Sequence, residues 1–291
     1  SASASVAEVG GFGIAGWLVQ LLSGPTTILI DACSFVVSAL SLGAIRTREP
    51  APAPTHADAT VLRDIGDGLF AVWQHPLLRI LAGATLLLSF CGHGIYGSLV
   101  VLFMSRELGF GPGLLGMTWG VGGISSLVGA MLALPLTRRL GAGRAMVLGL
   151  LLGSITGFFI PFARGTTLLA VILMILAQLG DGADTVYQIN QLSLRQALTP
   201  ERLLGRVNAS MQFVGQGAAL LGALAGGLLG DLIGVRSTLL VGASGSLLAA
   251  VLLALSPLRR VAGASSEAPA TSARHQPRDL ARQAGSCALG V

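Results

Sequence analysis

Four polar side chains interrupt a long apolar run at helical spacing: Gln178, Asp181, Asp184 and Gln188. At about 100° per residue, and with Thr185 beside them, they occupy roughly one third of a helix's circumference. Two carboxylates about one turn apart repel each other. In apolar surroundings each needs a cavity, a counter-charge or a proton. The chemistry open to such a face is cation or amine contact, or proton exchange. The alternative is a structural pair satisfied by Arg195 or by backbone groups.

Three further places carry weaker signals. In the run 78–104, Ser89, His93 and Tyr96 share a helical face, with His93 near its middle. A histidine there can titrate near neutral pH and relay protons, or it can hydrogen-bond a neighbouring helix. Glu8 lies in an apolar run close to the first residue, and Gln216 is a polar position in the run 207–230. Both join the substrate- or ion-binding candidates. Asp31 sits in the run 26–45 and reads as structural.

The elements that must position these groups are membrane helices. Of 291 residues, 53% are hydrophobic and only 11% charged, and the mean hydropathy is +0.77. A soluble domain carries about 25% charged residues, so lipid solvates most of this chain. A helix needs roughly 20 apolar residues to cross the hydrocarbon core. Eight runs qualify: 3–22, 26–45, 78–104, 114–136, 145–163, 167–190, 207–230 and 237–256. They are too long and continuous for barrel strands, which leaves an all-α integral membrane bundle. In the run 207–230, Gly222, Gly226 and Gly230 are spaced four apart for close helix packing.

Every one of the 18 basic residues is arginine, and their placement sets an orientation. With alternate loops assigned to opposite sides, 15 arginines fall on one side and only Arg106, Arg164 and Arg236 on the other. Cytoplasmic loops are enriched in basic residues. The loops 46–77, 137–144 and 191–206, together with both ends of the chain, are therefore expected in the cytoplasm. The same bias accounts for the basic charge without a nucleic-acid partner.

Residues 46–60 form a Pro/Ala linker, leading into an amphipathic helix over 61–74 on which Val61, Ile65, Leu69 and Val72 recur at helical spacing. That helix is expected along the cytoplasmic interface. From 261 the composition reads as a disordered tail. The three cysteines, Cys33, Cys91 and Cys287, suggest neither a disulfide framework nor a metal cluster. Gly120-Val121-Gly122-Gly123 has no preceding strand and implies no nucleotide loop. No nucleophile–base pair or cofactor motif is visible, so neither an enzyme nor a cofactor is expected.

The chain also repeats itself. Shifted by 210 residues, Ala15-Gly16 falls on Ala225-Gly226, and Leu22, Gly24, Leu29 and Ser34 fall on Leu232, Gly234, Leu239 and Ser244. The first helix pair is thus a copy of the last pair, and six helices occupy 77–256. The expected organisation has residues 1–45 as the last two helices of a first six-helix half and 46–76 as the cytoplasmic linker. The second half follows at 77–256 and the tail at 257–291. The present helices would be numbers 5–12 of twelve, with four more expected upstream.

Two six-helix halves joined by a cytoplasmic linker resemble the major facilitator superfamily. Residues 24–35, 198–210 and 255–260 resemble its enterobactin-exporter-like, transmembrane secretion effector branch. The superfamily's cytoplasmic signature corresponds to 137–144, with Arg138 where its aspartate would stand. Its helix-5 antiporter signature corresponds to 11–16, with Phe12 in place of proline and Ala15 in place of the first glycine. The resemblance implies a monomeric secondary transporter of the cytoplasmic membrane that exports a small drug- or siderophore-like molecule by alternating access, with protons as coupling ion. The alternative is a non-transporting membrane protein, a scaffold or a relict of a transporter gene.

Overall fold

A computed structural model describes residues 18, 19, 21–44, 61–165 and 167–260. The described residues are helical throughout, with short connections and no strand. Among the described residues, seven helices are long and apolar enough to cross a membrane: α1 (Gly24–Gly43), α3 (Pro76–Glu107), α4 (Pro112–Leu140), α5 (Ala142–Phe162), α6 (Leu168–Leu198), α7 (Leu204–Ile233) and α8 (Val235–Leu255). The short helix α2 (Val61–Gln74) precedes α3. The run 3–22 lies almost wholly outside the described residues, as do Glu8, the linker 46–60 and the tail from 261.

Helices α3, α4, α6 and α7 outrun the apolar windows that reveal them, because their polar ends carry on the backbone ladder. The largest difference is at α6, which extends to Leu198 rather than ending near 190. The expected loop 191–206 shrinks to Thr199 and Pro200, followed by a single 3-10 turn at Glu201–Leu203. Arg195 is therefore a helical residue and not a loop arginine.

Helix starts follow local chemistry. Prolines open α1, α3 and α4, where the missing N–H has no intrahelical partner to lose. Gly141 and Gly234 cap α5 and α8 at φ 84° and 85°, a region open to glycine. Ser23 precedes α1 at φ 78° and ψ 158°, nearly the conformation of Gly234 before α8, φ 85° and ψ 152°. The two caps lie one residue from the register in which the repeat pairs Gly24 with Gly234.

Helix α3 runs between α7 and α8 and departs from α-helical winding. Ser89–Tyr96 and Phe103–Glu107 are π-helical. A Cβ added at Gly94 would lie 2.6 Å from the Gly222 Cα of α7, and one at Gly242 of α8 would lie 2.9 Å from the Tyr96 Cβ. Lipid offers no hydrophobic drive for helices to associate, so such contacts rest on close backbone packing. Of the glycines in 207–230, Gly222 and Gly226 serve that packing.

Two apolar clusters close the ends of the bundle. One gathers Leu78, Leu81, Met146, Leu150, Val207 and Leu253. The other gathers Phe103, Leu108, Ile160, Met174 and Leu239. Along α6, Met174 and Ala177 belong to the second cluster, and Tyr187 and Leu194 to the first. Asp181 and Asp184 fall in the polar layer between them.

Helix α2 docks on α7 through Gly68, where an added Cβ would meet the Ser210 side chain and lie 2.5 Å from the Arg206 carbonyl oxygen. Val72 is buried in the first cluster, whereas Leu69, placed on the same apolar face in the sequence reading, is exposed with Phe70 and Trp73. The protein-facing edge of α2 is thus Gly68 and Val72. Its aromatic edge suits a lipid interface.

Candidate functional site

Helix α6 is locally irregular where its polar face begins, although Leu179 keeps helical dihedrals. One segment ends at Gln178, Leu179 forms the joint, and the next begins at Gly180. A backbone group freed inside a membrane can be satisfied only by protein or water. Ser125 of α4 does so on both sides: its Oγ donates to the Leu179 carbonyl at 2.9 Å and accepts from the Gly182 N–H at 3.0 Å. Glycines let neighbouring helices reach this backbone. A Cβ at Gly129 of α4 would collide with the Gly182 carbonyl, and one at Gly153 of α5 would come within 3.3 Å of the Gly180 carbonyl. The carboxylates thus stand on a segment gripped from two sides. Asp181 lies in its first turn, where the helix dipole favours negative charge.

Seven of the eight sequence candidates divide between two cavities. The larger, of about 600 Å³, is lined by His93, Gln188 and Gln216. The smaller, of about 170 Å³, is lined by Gln178, Asp181, Asp184 and Tyr96. Glu8 lies outside the described residues. Leu88 borders both spaces, and Gln188 Nε2 donates to Asp184 Oδ2 at 2.9 Å, joining their polar walls.

His93 and Tyr96, expected on one face, open into different cavities. Their π-helical stretch adds a residue to the turn and so rotates the later position away from the earlier one. The Tyr96 hydroxyl is already engaged, donating to the Gly157 carbonyl at 2.7 Å. Asp181 and Gln178 crowd Gly122 of α4. A Cβ there would meet Asp181 Oδ2 and lie 2.8 Å from Gln178 Nε2, and that amide nitrogen is buried without a hydrogen-bond partner among the described residues. The reading in which Arg195 satisfies the aspartates does not hold: Arg195 makes no ion pair among the described residues and lines the larger cavity instead.

Further residues of the larger cavity were not among the candidates: Thr85, Tyr187, Gln191, Arg195, Asn208 and Gln212. Gln191 Nε2 donates to Thr85 Oγ1 at 3.3 Å, linking α6 to α3. The signal for two of them was present. Gln188, Gln191 and Arg195 continue the face of Asp181 and Asp184 at steps of three and four, past the point where hydropathy ends the span.

Opposite the α4–α5 turn, Arg236 ties helix ends together. It donates to the Pro161 and Ala163 carbonyls at 2.9 and 3.0 Å, lies 5.3 Å from the Phe103 ring centroid, and pairs with Glu107 at 3.4 Å. Among the described residues no group of three or more His, Cys, Asp or Glu is arranged to hold a metal ion.

Membrane-length helices around internal polar cavities, one of them lined by two carboxylates, are the build of a membrane carrier. The sequence pattern of the Major Facilitator Superfamily matches residues 1–223, and the chain belongs to that superfamily of membrane transporters. It is 27% identical over 237 residues to the multidrug efflux pump Tap of Mycolicibacterium fortuitum, covering 79% of this chain and 55% of the pump. Two crystal structures of a bacterial homologue of the iron transporter ferroportin share the fold. At 23% identity each, they cover 86% of this chain and 60% of their own, with TM-scores of 0.55 outward-facing and 0.61 inward-facing. The chain thus spans little more than half the length of these relatives.

Proposed function

We propose that this protein is a monomeric secondary transporter of the cell membrane that exports a small organic molecule by alternating access, coupled to protons through Asp181 and Asp184. One observation carries the reading: both carboxylates line a cavity inside the membrane-crossing bundle, and Asp184 is hydrogen-bonded through Gln188 to the wall of a second, larger cavity. A carboxylate at membrane depth costs roughly 2.5–3.5 kcal/mol on insertion scales, so two on one face argue for a role beyond folding. The likeness to an efflux pump supports export. The finer likeness of 24–35, 198–210 and 255–260 to enterobactin-exporter-like permeases supports a drug- or siderophore-like substrate. The arginine bias supports cytoplasmic ends and a cytoplasmic linker at 46–76 between two six-helix halves.

The test is dye extrusion from inverted vesicles containing the protein, with a proton gradient imposed across the membrane. Gradient-dependent accumulation of at least one dye from a panel of anionic, zwitterionic and cationic drug-like dyes is expected. A protein that inserts and folds but moves no dye of a broad panel under any gradient would be a scaffold rather than a carrier.

A further inference from the structure

The two cavities differ in charge. The smaller holds both aspartates, whereas among the described residues no carboxylate lines the larger one, whose charged or titratable groups are Arg195 and His93 with the Tyr187 phenol. Arg195 comes from α6, and its guanidinium carries a permanent charge with five donors. Among the described residues it has no carboxylate partner, and its Nε is buried without a hydrogen bond. Across the cavity wall, Asn208 Oδ1 of α7 is likewise buried and unpaired. Unpaired buried polar atoms and an unneutralised cation are costly, and a small turn of either side chain toward an occupant would relieve that cost. Gln191, Gln212 and Thr85 supply neutral hydrogen-bonding groups around them, while Leu88, Met211 and Ala219 supply apolar wall.

We propose that the larger cavity binds an organic anion, with Arg195 as counter-charge to its carboxylate and Asn208 accepting from a neighbouring donor on the same molecule. The apolar wall selects an organic molecule over a bare inorganic ion. A cationic group on the same molecule would face the aspartates beyond Leu88, so an anionic or zwitterionic solute fits and a simple cation does not. The assignment rests on the transport reading and names the substrate class for it.

The experiment uses two probes with one ring system and opposite charge, indole-3-acetate and tryptamine. Binding of each radiolabelled probe to the purified protein is measured by equilibrium dialysis. The native protein should bind indole-3-acetate more tightly than tryptamine. Arg195→Gln should weaken indole-3-acetate by about tenfold or more, the scale of one charge-assisted contact, and Arg195→Lys should retain part of the affinity. Asn208→Asp places a negative charge in the same cavity and should also weaken the anion, while leaving tryptamine unchanged or tighter. This variant keeps the test open should Arg195→Gln fold poorly. Equal indole-3-acetate affinity in native and Arg195→Gln protein overturns the assignment, as does a native preference for tryptamine. Binding and dye extrusion are read separately, so loss of the anion site leaves carboxylate-driven export standing, and the reverse.

Discussion

Gln188 and Asp184 are one helical turn apart on α6, face different cavities, and are joined by a 2.9 Å hydrogen bond from Gln188 Nε2 to Asp184 Oδ2. An occupant of the larger cavity that takes this N–H of Gln188 competes directly with Asp184, and one that engages the rest of the amide shares it. Few arrangements could couple a solute site to a carboxylate with so little machinery.

That relationship makes Gln188 a coupling residue. Gln188→Leu should leave the protein folded, because the side chain is exposed to the cavity. Removing a hydrogen bond to a charged group is worth about 1.5–3 kcal/mol. Gradient-driven extrusion should fall by roughly tenfold or more, while Gln188→Glu, which sets a carboxylate beside Asp184, should be worse. Extrusion by Gln188→Leu at the native rate would contradict the link.

The grip of α4 on Asp181 is tested at Gly122. A Cβ there meets the Asp181 carboxylate and the Gln178 amide, so Gly122→Ala should impair extrusion with little loss of inserted protein. Gly217 of α7 has no neighbouring atom within 4 Å of an added Cβ. Gly217→Ala should be silent, or stabilise slightly by stiffening the unfolded chain. Comparable effects of the two substitutions would remove the steric account.

Much of this was legible from composition. Apolar runs located every described membrane helix, since length and hydropathy suffice when lipid is the solvent. The polar face of α6 was legible as well, because helical periodicity survives a one-residue joint at Leu179. The joint itself was hidden: it depends on Ser125 from another helix supplying the missing partners. The division of His93 from Tyr96 was hidden as well, since reading a shared face assumes α-helical winding and α3 is π-helical where it packs against Gly222 and Gly242. Arg195 was misplaced because hydropathy ends a span where polar residues begin, even when the helix and its polar face continue.

Arg236 offers a stability contrast. Its pair with Glu107 is about one third exposed on both sides, and such pairs contribute about 0–1 kcal/mol. Its bonds to the Pro161 and Ala163 carbonyls are charge-assisted, at about 1.5–3 kcal/mol each. Arg236→Ala should lower the melting temperature in detergent clearly, and Glu107→Gln barely. Equal losses would place the weight on the ion pair instead.

Orientation is read by labelling single cysteines in intact cells. A membrane-impermeant reagent should modify a cysteine at Gly111 or Arg164 and spare one at Gly141, in keeping with the arginine bias. External labelling at Gly141 would invert the topology.

The most direct test of the central claim compares two activities of one preparation. Liposomes carrying native, Asp181→Asn or Asp184→Asn protein are assayed for solute uptake against a gradient driven by protons, and for solute exchange at equilibrium without any proton gradient. Asparagine keeps size and hydrogen bonding but cannot carry the charge. The account predicts that at least one variant loses gradient-driven accumulation while retaining exchange, from mildly acidic to mildly alkaline pH. Native accumulation by both variants across that range would show that the two carboxylates are structural.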